Sequence, residues 1–486
     1  MNITDLLSAK ARVQPDAPAI ISPGASLSYY EFDRAVSWVA QGYRKKGVEP
    51  GDAVGIQLSN QLQKIIASMA FARLGAVQIP ISKSDPLQVQ IGLQKRLGLD
   101  VVVSDGGAFT NTEISTISGP PEDFADYKDI EPVVEESLGN NQTMYLIVAT
   151  SGTTSPEPKL GLLSHEAAVN RSRLLSYDKP DNRFLSLVDF EFIGARQNYI
   201  RCINSGAAFI LNELLTPDNL ADAVLELNIN YIACARVHAD SLVQISTEGV
   251  CLFPQINALR VSSTIIPDVS RREYMEKLTP NLYVGFGISE TGMVSLAGPE
   301  SIRNTPGIVG SLTPGNSAKI VDDAGAPLPP GEIGELFIKS EGTITNYIDP
   351  AGSHSEDLRN NWFDTGDLAE FTDSNALIHH GRKDDLIIFD GINIYPAQIE
   401  NVLYRHPAVV EAAAFSIPSV SRGEEPHAAV ILNEDLPMFE LMRHCRSWLG
   451  VRAPVHIERV SKLPKNAAGK VINSELRLLV ASARKN

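Results

Sequence analysis

Residues 150–159, TSGTTSPEPK, combine the residue types that can hold a phosphate group. A glycine lets backbone N–H groups approach a ligand closely, hydroxyls can donate hydrogen bonds to phosphate oxygens, and a lysine supplies positive charge. The residues that could act in this way are Ser151, Gly152, Thr153, Thr154 and Lys159. The segment is not a Walker loop, because Pro158 stands directly before Lys159 and no Gly-Lys-Ser/Thr ending is present. Taken alone, a loop of this composition is more often a polar surface turn.

Four later segments carry further acids, hydroxyls and lysines beside turn-forming glycines. They are GFGISETG at 285–292, NWFDTGDL at 361–368, GRKDDLIIFDGINIYPAQIE at 381–400 and LPKNAAGKV at 463–471. The first is not a dinucleotide-binding fingerprint, since Glu290 occupies the last glycine position. It is not a nucleophile elbow either, since Thr291 stands where the second glycine belongs. Each segment taken singly has an ordinary structural explanation.

Together, the five segments resemble the ordered motifs of the adenylate-forming superfamily, which includes acyl- and aryl-CoA ligases, adenylation domains of peptide synthetases, and luciferases. The stretches LSYYEFDRA at 27–35 and GIVGSLTPGNSAKIVD at 307–322 also match that family's pattern, so the resemblance covers almost the whole chain. The phosphate loop departs from the family's usual T-S-G-T-T-G-x-P-K-G. Ser155 replaces a glycine, and one residue is inserted before Pro158 and Lys159.

This resemblance implies ATP-dependent activation of a carboxylic acid. Attack of the carboxylate on the α-phosphate of ATP would give an acyl-AMP and pyrophosphate, and a thiol would then displace AMP. Because two anions meet in the first step, positive charge and N–H donors must offset their repulsion. The implied cofactors and co-substrates are ATP, Mg²⁺ and either CoA or the phosphopantetheine of an acyl carrier protein. Three functions stay open: an acid–CoA ligase, a stand-alone adenylation enzyme that loads a carrier protein with an acyl or aminoacyl group, and a degenerate relative that binds nucleotide without catalysis.

The resemblance assigns several nucleotide contacts to residues 285–292. Phe286 would stack on adenine, with Gly287 beside it in the same site. Ser289 would donate to the α-phosphate, and Glu290 would ligate Mg²⁺, an ion that suits hard oxygen ligands. Without the resemblance, Phe286 would be interpreted as a core aromatic and Glu290 as an acid at a helix N-terminus.

The later motifs complete the implied catalytic set. Asp367 would accept hydrogen bonds from both ribose hydroxyls, and Arg382 would contact ribose or phosphate. Lys470 would neutralise negative charge while the new P–O bond forms, so it would act in catalysis together with Ser289 and Glu290. The ordinary alternatives are a turn-capping aspartate, an exposed arginine and a solvated lysine.

Two further positions match the family's moving parts. Asp384 matches a hinge about which a small C-terminal domain turns on the large one, presenting Lys470 for adenylation and its other face for thiol transfer. Gly391 matches a glycine that lines the tunnel of the incoming thiol. Its ordinary alternative is a plain β-turn glycine.

Residues 187–197, LVDFEFIGARQ, resemble the family element that carries a gating aromatic residue or histidine. The spacing permits Phe190 or Phe192, and the residues that follow favour Phe192. Ile193 then falls where amino-acid adenylation domains place an aspartate for the α-amine, which argues against an α-amino acid. The other predicted pocket residues are Ser262, Ser263 and Gly285. We therefore expect an aryl or short acid rather than a long chain.

The elements that must position these residues can be predicted from hydrophobic periodicity. Apolar residues recur at helical spacing in residues 27–47, 63–75 and 167–176. Short apolar runs lie between these segments, and such alternation favours parallel sheets covered by helices. After about Gly298 the pattern becomes turn-rich, as in a β subdomain. We predict an α/β fold with a large N-terminal domain of helix-covered sheets (1–383) and a small mobile α+β C-terminal domain (384–486) that carries the catalytic lysine.

Composition limits the cellular setting. The chain has 486 residues and a net charge of −16, which argues against nucleic-acid binding and polybasic membrane attachment but not against a small anionic ligand. The cysteines are Cys202, Cys234, Cys251 and Cys445. None forms a C-x-x-C pair, so we expect free thiols in a reducing cytoplasm. No signal-peptide pattern and no apolar run of about 18 residues is present, so we expect no membrane span.

Overall fold

The computed structural model describes residues 1–83, 87–106, 115–128, 130, 137–150, 159–175, 177–247, 249–262, 264–349, 355, 357–359, 361–419, 422–465 and 471–483. The α-helices in these ranges are α1 (Ile3–Val13), α2 (Tyr29–Lys45), α3 (Gln61–Leu74), α4 (Leu87–Leu97), α5 (His165–Arg171), α6 (Ile193–Ser205), α7 (Pro217–Glu226), α8 (Arg236–Ile245), α9 (Asp268–Lys277), α10 (Pro299–Asn304), α11 (Pro396–Leu403), α12 (Met438–Leu449) and α13 (Asn473–Ala483). None of these described helices is long and apolar enough to cross a membrane.

The strands of the N-terminal half are β1 (Pro18–Ser22), β2 (Ala25–Ser28), β3 (Ala53–Gln57), β4 (Val77–Pro80), β5 (Val101–Ser104), β6 (Ser115–Ser118), β7 (Met144–Thr150), β8 (Lys159–Ser164), β9 (Arg183–Ser186), β10 (Ala208–Ile210) and β11 (Tyr231–Ala235). Those that follow are β12 (Ala258–Ser262), β13 (Leu282–Ile288), β14 (Gly292–Ala297), β15 (Ile308–Leu312), β16 (Asn316–Val321), β17 (Gly334–Ser340), β18 (Tyr347–Ile348), β19 (Phe363–Phe371), β20 (Leu377–Arg382), β21 (Ile387–Phe389), β22 (Ile392–Ile394), β23 (Val409–Ser419), β24 (Gly423–Leu432) and β25 (His456–Arg459). Short 3-10 helices span Phe124–Tyr127, Lys383–Asp385 and Gly450–Arg452.

Local sequence sets where helices begin and end. The Ser28 hydroxyl accepts from the Glu31 backbone N–H at 3.2 Å, and the Glu31 carboxylate accepts from the Ser28 N–H at 2.8 Å. This capping box starts α2. Helix α3 starts at a side-chain cap from Asn60 and ends at Gly75, whose φ of 73° lies in the left-handed region. All faces of α3 are buried, as expected for a helix enclosed by other elements.

The described strands form three sheets. The largest has the order β16-β17-β19-β20-β15-β14-β13-β12-β11-β9-β10-β1-β2, and the second has the order β18-β8-β7-β4-β3-β5-β6. The third consists of β22-β21-β24-β23, with β25 paired to β24. Strands β9, β11, β12 and β13 run parallel, so their carboxyl ends meet at one edge of the largest sheet.

Separate hydrophobic clusters support the large and small parts of the molecule. One cluster joins α2, α3 and α6 to the largest sheet, and another covers that sheet's opposite face with α7, α8 and α9. The clusters that include the third sheet draw only on residues from Ile387 onward. The predicted α/β class, with a large N-terminal domain and a small C-terminal domain, is confirmed.

One predicted helix is shorter than the sequence pattern suggests. Periodicity predicts a helix over residues 167–176, but α5 ends at Arg171. The Ser172 hydroxyl donates to the Val169 carbonyl at 2.7 Å, a local bond that competes with further helix formation. The turn-rich region after Gly298 contains the predicted short strands, and the pairing of β15 with β14 joins this region to the largest sheet.

Candidate active site

A cavity of about 1000 Å³ lies between the large part of the molecule and the small C-terminal part. The carboxyl end of β13 and the β19–β20 hairpin form one wall, and α11, β23 and residues flanking 466–470 form the other. The predicted nucleotide and hinge residues that line it are Lys159, Phe286, Gly287, Ser289, Glu290, Asp367, Arg382 and Asp384. Lys465 and Val471 of the last motif segment line it as well, so residues from all five motif segments share one cavity, although they are widely separated in the sequence.

Strand β13 delivers the aromatic residue to this cavity. The Phe286 ring centroid lies 4.9 Å from the imidazole centroid of His379, at an interplanar angle of 34°. The β13–β14 register shifts between Phe286 and Gly287. A Cβ atom on Gly287 would lie only 2.4 Å from the Gly292 carbonyl oxygen, so a side chain cannot be accommodated there. This irregularity lets the chain turn after Phe286, so that the half-buried Ser289 also reaches the cavity.

Glu290 is held in place through both its side chain and its backbone. The Tyr347 hydroxyl donates to Glu290 Oε1 at 2.9 Å. The Glu290 carbonyl accepts from Arg171 Nη2 at 2.7 Å and from the Ile344 N–H at 2.8 Å. Burial, reinforced by the Glu290 charge, raises the pKa of Tyr347 well above its usual value, so Tyr347 remains a donor. Burial lowers the pKa of Arg171 to about 9, which still leaves it cationic at neutral pH.

Asp367 is a buried carboxylate beside a histidine and an arginine. It is 4% exposed and lies opposite Arg382 in the β19–β20 register. Its Oδ1 is 3.3 Å from His379 Nε2 and 3.5 Å from Arg382 Nη1. The same Arg382 atom donates to the Thr365 carbonyl at 2.7 Å, which fixes the guanidinium beside the carboxylate. A buried carboxylate at a cavity wall can accept strong hydrogen bonds from ligand hydroxyls.

The predicted phosphate loop is flanked by paired strands. Residues 151–158 lie outside the described part of the chain, and with them the predicted contacts of Ser151, Gly152, Thr153 and Thr154. Strands β7 and β8 pair antiparallel up to Thr150 and Lys159, so the two ends of the loop are held together. Lys159 Nζ lies 5.7 Å from the Tyr347 ring centroid, which brings this cation next to the residue that holds Glu290.

The predicted catalytic lysine belongs to a second loop outside the described residues. This loop, 466–470, includes Lys470. Its flanking residues Lys465 and Val471 form an antiparallel bridge with each other, and both line the cavity. Lys465 Nζ lies 2.6 Å from a Glu411 carboxylate oxygen on β23. Both ends of the loop therefore start from the cavity wall.

The predicted hinge lies in the connection between β20, the last strand of the largest sheet along the chain, and the third sheet. Asp384 is in the 3-10 helix Lys383–Asp385, directly after β20. Asn473 Nδ2 donates to Asp385 Oδ1 at 2.8 Å. Gly391 lies in the β21–β22 turn with a φ of +76°, and no other atom would lie within 4 Å of a Cβ atom there. Gly391 does not line the cavity in this arrangement.

Contacts between α8, α9 and α11 hold the small part over the cavity. Arg236 Nη2 donates to the Tyr404 hydroxyl at 3.0 Å, and its guanidinium carbon lies 5.3 Å from the Tyr404 ring centroid. The Asp268 N–H donates to Asn401 Oδ1 at 3.4 Å. Arg236 also pairs with Asp240 on its own helix at 3.3 Å. These contacts fix one orientation of the small part.

The predicted acid-pocket residues are less closely grouped. Phe190 is buried, with its ring centroid 4.5 Å from the Arg196 guanidinium carbon, whereas Phe192 is 42% exposed at the N-cap of α6. Of the predicted pocket residues that the structure describes, Gly285 lines the cavity, whereas Phe192 and Ser262 do not. Ser263 lies outside the described residues.

Three further residues of the site escape sequence reasoning. His379 contacts both Phe286 and Asp367, but its position becomes meaningful only once the β19–β20 register is known. Tyr347 and Arg171 support Glu290 from distant parts of the chain, and no local motif marks them. Residues of this kind can be found only from the three-dimensional structure.

Comparison with protein-family models gives two matches. Residues 7–348 match the model described as AMP-binding enzyme. Residues 398–470 match the model described as AMP-binding enzyme C-terminal domain. The two matches follow each other along the chain on either side of the 3-10 helix Lys383–Asp385.

Similar proteins extend over nearly the full chain. An indoleacetate–CoA ligase of Aromatoleum aromaticum is 25% identical, over 99% of this chain and 98% of its own length. A 2-succinylbenzoate–CoA ligase of Bacillus mycoides is 26% identical, over 98% of each chain. The crystal structure of ATP-bound MatB from Rhodopseudomonas palustris has the same fold, with a TM-score of 0.86 and 23% identity over 99% of both chains.

Proposed function

Because the chain belongs to the AMP-binding enzyme family, we propose that it activates a carboxylic acid with ATP and transfers the acyl group to the thiol of CoA. It is thus an enzyme of the acid–thiol ligase, AMP-forming type. The observation that carries the proposal is the single cavity shared by Phe286, Glu290, Asp367 and Arg382 with both ends of loop 466–470. The two relatives named above, an indoleacetate–CoA ligase and a 2-succinylbenzoate–CoA ligase, agree with this reaction.

The nucleotide would occupy the wall formed by β13 and the β19–β20 hairpin. Phe286 would stack on the adenine, with Gly287 leaving room beside it, and His379 would border the same space. Asp367 would accept hydrogen bonds from the ribose hydroxyls, and Arg382 would contact ribose or phosphate. The buried Asp367 carboxylate supports this role, because water competes little for it.

The phosphates would lie towards Ser289, Glu290 and Lys159. Ser289 would donate to the α-phosphate, and loop residues 151–154 would surround the remaining phosphates. The Glu290 carboxylate faces the cavity with one oxygen bonded to Tyr347, and its hard oxygen atoms fit Mg²⁺. When bound, Mg²⁺ would neutralise phosphate charge and so favour attack by an anionic carboxylate.

Lys470 would supply positive charge where the carboxylate meets the α-phosphate. The bridge between Lys465 and Val471 supports this assignment, because it fixes both ends of the loop at the cavity wall. We place the domain boundary between residues 383 and 384, with Asp384 as the hinge. Rotation there would withdraw Lys470 and bring Gly391 to the path of the thiol.

The acid would bind beyond Gly285, towards Phe192, Ser262 and Ser263. An aryl or short acyl acid fits this assignment best. All four cysteines are free, and Cys202, Cys234 and Cys445 are buried. This pattern agrees with a reducing compartment, so we propose that the reaction takes place in the cytoplasm.

The decisive test is acid-dependent exchange of labelled pyrophosphate into ATP across a broad panel of acids. We expect exchange with at least one aryl or short acid in the presence of Mg²⁺. Folded protein that gives no exchange with any acid would contradict adenylation. Adding free CoA to the acyl-AMP complex should then release AMP without any partner protein. Release only by a holo carrier protein would replace CoA with that carrier as the acceptor.

A further inference from the structure

Arg260, on β12, is a buried cation in the layer between the largest sheet and α6. It is 5% exposed. Its Nη2 donates to Asn198 Oδ1 at 2.5 Å, and its Nη1 lies 3.9 Å from Met293 Sδ. Its Nε has no hydrogen-bond partner among the described residues. The guanidinium is thus in contact with an amide, a thioether and the ring of Tyr231, whose centroid is 5.9 Å away.

Positive charge exceeds negative charge around this residue. Arg260 makes no ion pair within 4.0 Å with any carboxylate in the part of the chain that the structure describes. The buried Asp178 is closer to another arginine, with Oδ2 lying 3.7 Å from Arg201 Nε. The Asp178 carboxylate is therefore the shared counter-charge for two buried guanidinium groups, those of Arg201 and Arg260. Two buried guanidinium groups with one carboxylate leave one positive charge uncompensated, which is unfavourable in a buried site, and a ligand carboxylate would compensate it.

The position of Arg260 connects it to the predicted acid pocket. A Cβ atom on Gly285 would lie 3.6 Å from Arg260 Cδ and 3.5 Å from Met293 Sδ. Gly285 itself lines the cavity, so the arginine side chain starts directly beneath the cavity floor. The Met293 sulfur thus lies against both Gly285 and the Arg260 guanidinium, and a methionine can adopt other rotamers at little cost.

We propose that Arg260 binds a second carboxylate at the far end of the substrate, so that the enzyme acts on dicarboxylic acids with a short or aryl skeleton. This inference rests on the proposed function and names its substrate class. One carboxylate would react at the nucleotide while the other pairs with Arg260 after Met293 moves aside. Guanidinium is the side-chain group best suited to a buried carboxylate, because its donors lie in a fixed plane.

The test uses acids that differ only in the second carboxylate. The pairs are butanoate with butanedioate and benzoate with benzene-1,4-dicarboxylate, and 4-hydroxybenzoate is the neutral polar control. In pyrophosphate exchange we expect the dicarboxylate of at least one pair to have a kcat/KM at least roughly thirtyfold higher than that of the matching monocarboxylate. This is the size of effect expected when one partner of a buried charge pair is missing. Arg260→Met should remove that preference, and Arg260→Lys should restore part of it.

Two further variants separate charge recognition from damage to the fold. Asn198→Asp would place a carboxylate against Arg260 and should lower the preference for dicarboxylates while keeping the arginine. Arg73→Met is the matched control, because Arg73 is equally buried but already pairs with Asp33 at 2.6 Å. It should lower the thermal midpoint without changing the acid preference.

Calorimetric binding of the same acids, with a non-hydrolysable ATP analogue present, gives a readout without turnover. Dicarboxylate binding that disappears in Arg260→Met supports the inference, whether or not any acid gives exchange. If no acid gives exchange, only the proposed reaction fails. Exchange with monocarboxylates, and an unchanged preference in Arg260→Met, would overturn the inference and leave the proposed reaction intact. Absence of acid binding to wild-type protein, or tighter binding of 4-hydroxybenzoate than of the dicarboxylate, would also overturn it.

Discussion

Replacing Asp367 with asparagine should weaken ATP binding without unfolding the protein. The substitution keeps the size of the side chain and removes its charge. Asp367 is 4% exposed, so solvent does not take over hydrogen bonds that the carboxylate loses. The adjacent Arg382 side chain is 29% exposed and can be solvated when its partner at 3.5 Å loses its charge. The main effect is therefore expected on the ligand rather than on the fold.

The magnitude follows from the two ribose hydroxyls assigned to this carboxylate. A hydrogen bond to a charged group contributes about 1.5–3 kcal/mol, and one between neutral groups about 1 kcal/mol. Replacing two charged bonds by neutral ones should then cost about 1–4 kcal/mol. This corresponds to a loss of ATP affinity of roughly fivefold to several hundredfold.

Titration calorimetry with ATP and Mg²⁺, in the absence of acid, measures this effect. Asp373→Asn provides the control, because Asp373 is an exposed acid at the far end of the same hairpin. We expect wild-type affinity for the control and a similar thermal midpoint for both variants. An unchanged ATP affinity in Asp367→Asn would show that this carboxylate does not bind the ribose.

Two further predictions concern the domain contact and the buried histidine. Arg236→Met should slow acyl-AMP formation but spare thioester formation from supplied acyl-AMP. Lys470→Ala should also slow only acyl-AMP formation, by roughly a hundredfold. Gly391→Leu should instead slow only thioester formation. Equal slowing of both half-reactions in all three variants would count against domain alternation. Burial lowers the pKa of His165 from 6.5 to about 4, so the unfolded chain binds more protons between these values and stability falls as pH drops through this window. His165→Gln should remove about 3 kcal/mol of that pH dependence in urea unfolding at pH 7 and pH 4, and parallel pH profiles for the two proteins would contradict the assignment.

Parts of the fold and site with local causes could be predicted from the sequence. The capping box of Ser28 and Glu31 marks the start of α2 within four residues of chain. The motif residues Phe286 and Asp367 lie in short segments whose residue types already suggest ligand contacts. These signals are readable because each depends on neighbouring residues only.

Features that depend on distant contacts could not be predicted. His379 belongs to the site because of the register between β19 and β20, and Arg171 because α5 ends where its side chain reaches the Glu290 carbonyl. Periodicity continues past Arg171, so the end of α5 was missed. Arg260 would be interpreted as an ordinary strand residue until the three-dimensional structure shows that it forms no ion pair with a carboxylate of the described residues.

The nature of the contact between the two parts bears on how the cavity can open. The hydrophobic clusters of the described residues do not cross from the large part to the small part. The contacts that do cross include hydrogen bonds, as between Arg236 and Tyr404 or between Asp268 and Asn401, and a ring contact between His380 and Tyr395 at 5.6 Å. Each such hydrogen bond contributes about 1 kcal/mol net, because water replaces it when it breaks. A shared apolar core would instead cost about 25 cal/mol for every Å² exposed on separation. Rotation at the 3-10 helix Lys383–Asp385 would therefore exchange a few hydrogen bonds for water without exposing either core, as the proposed two-step reaction requires.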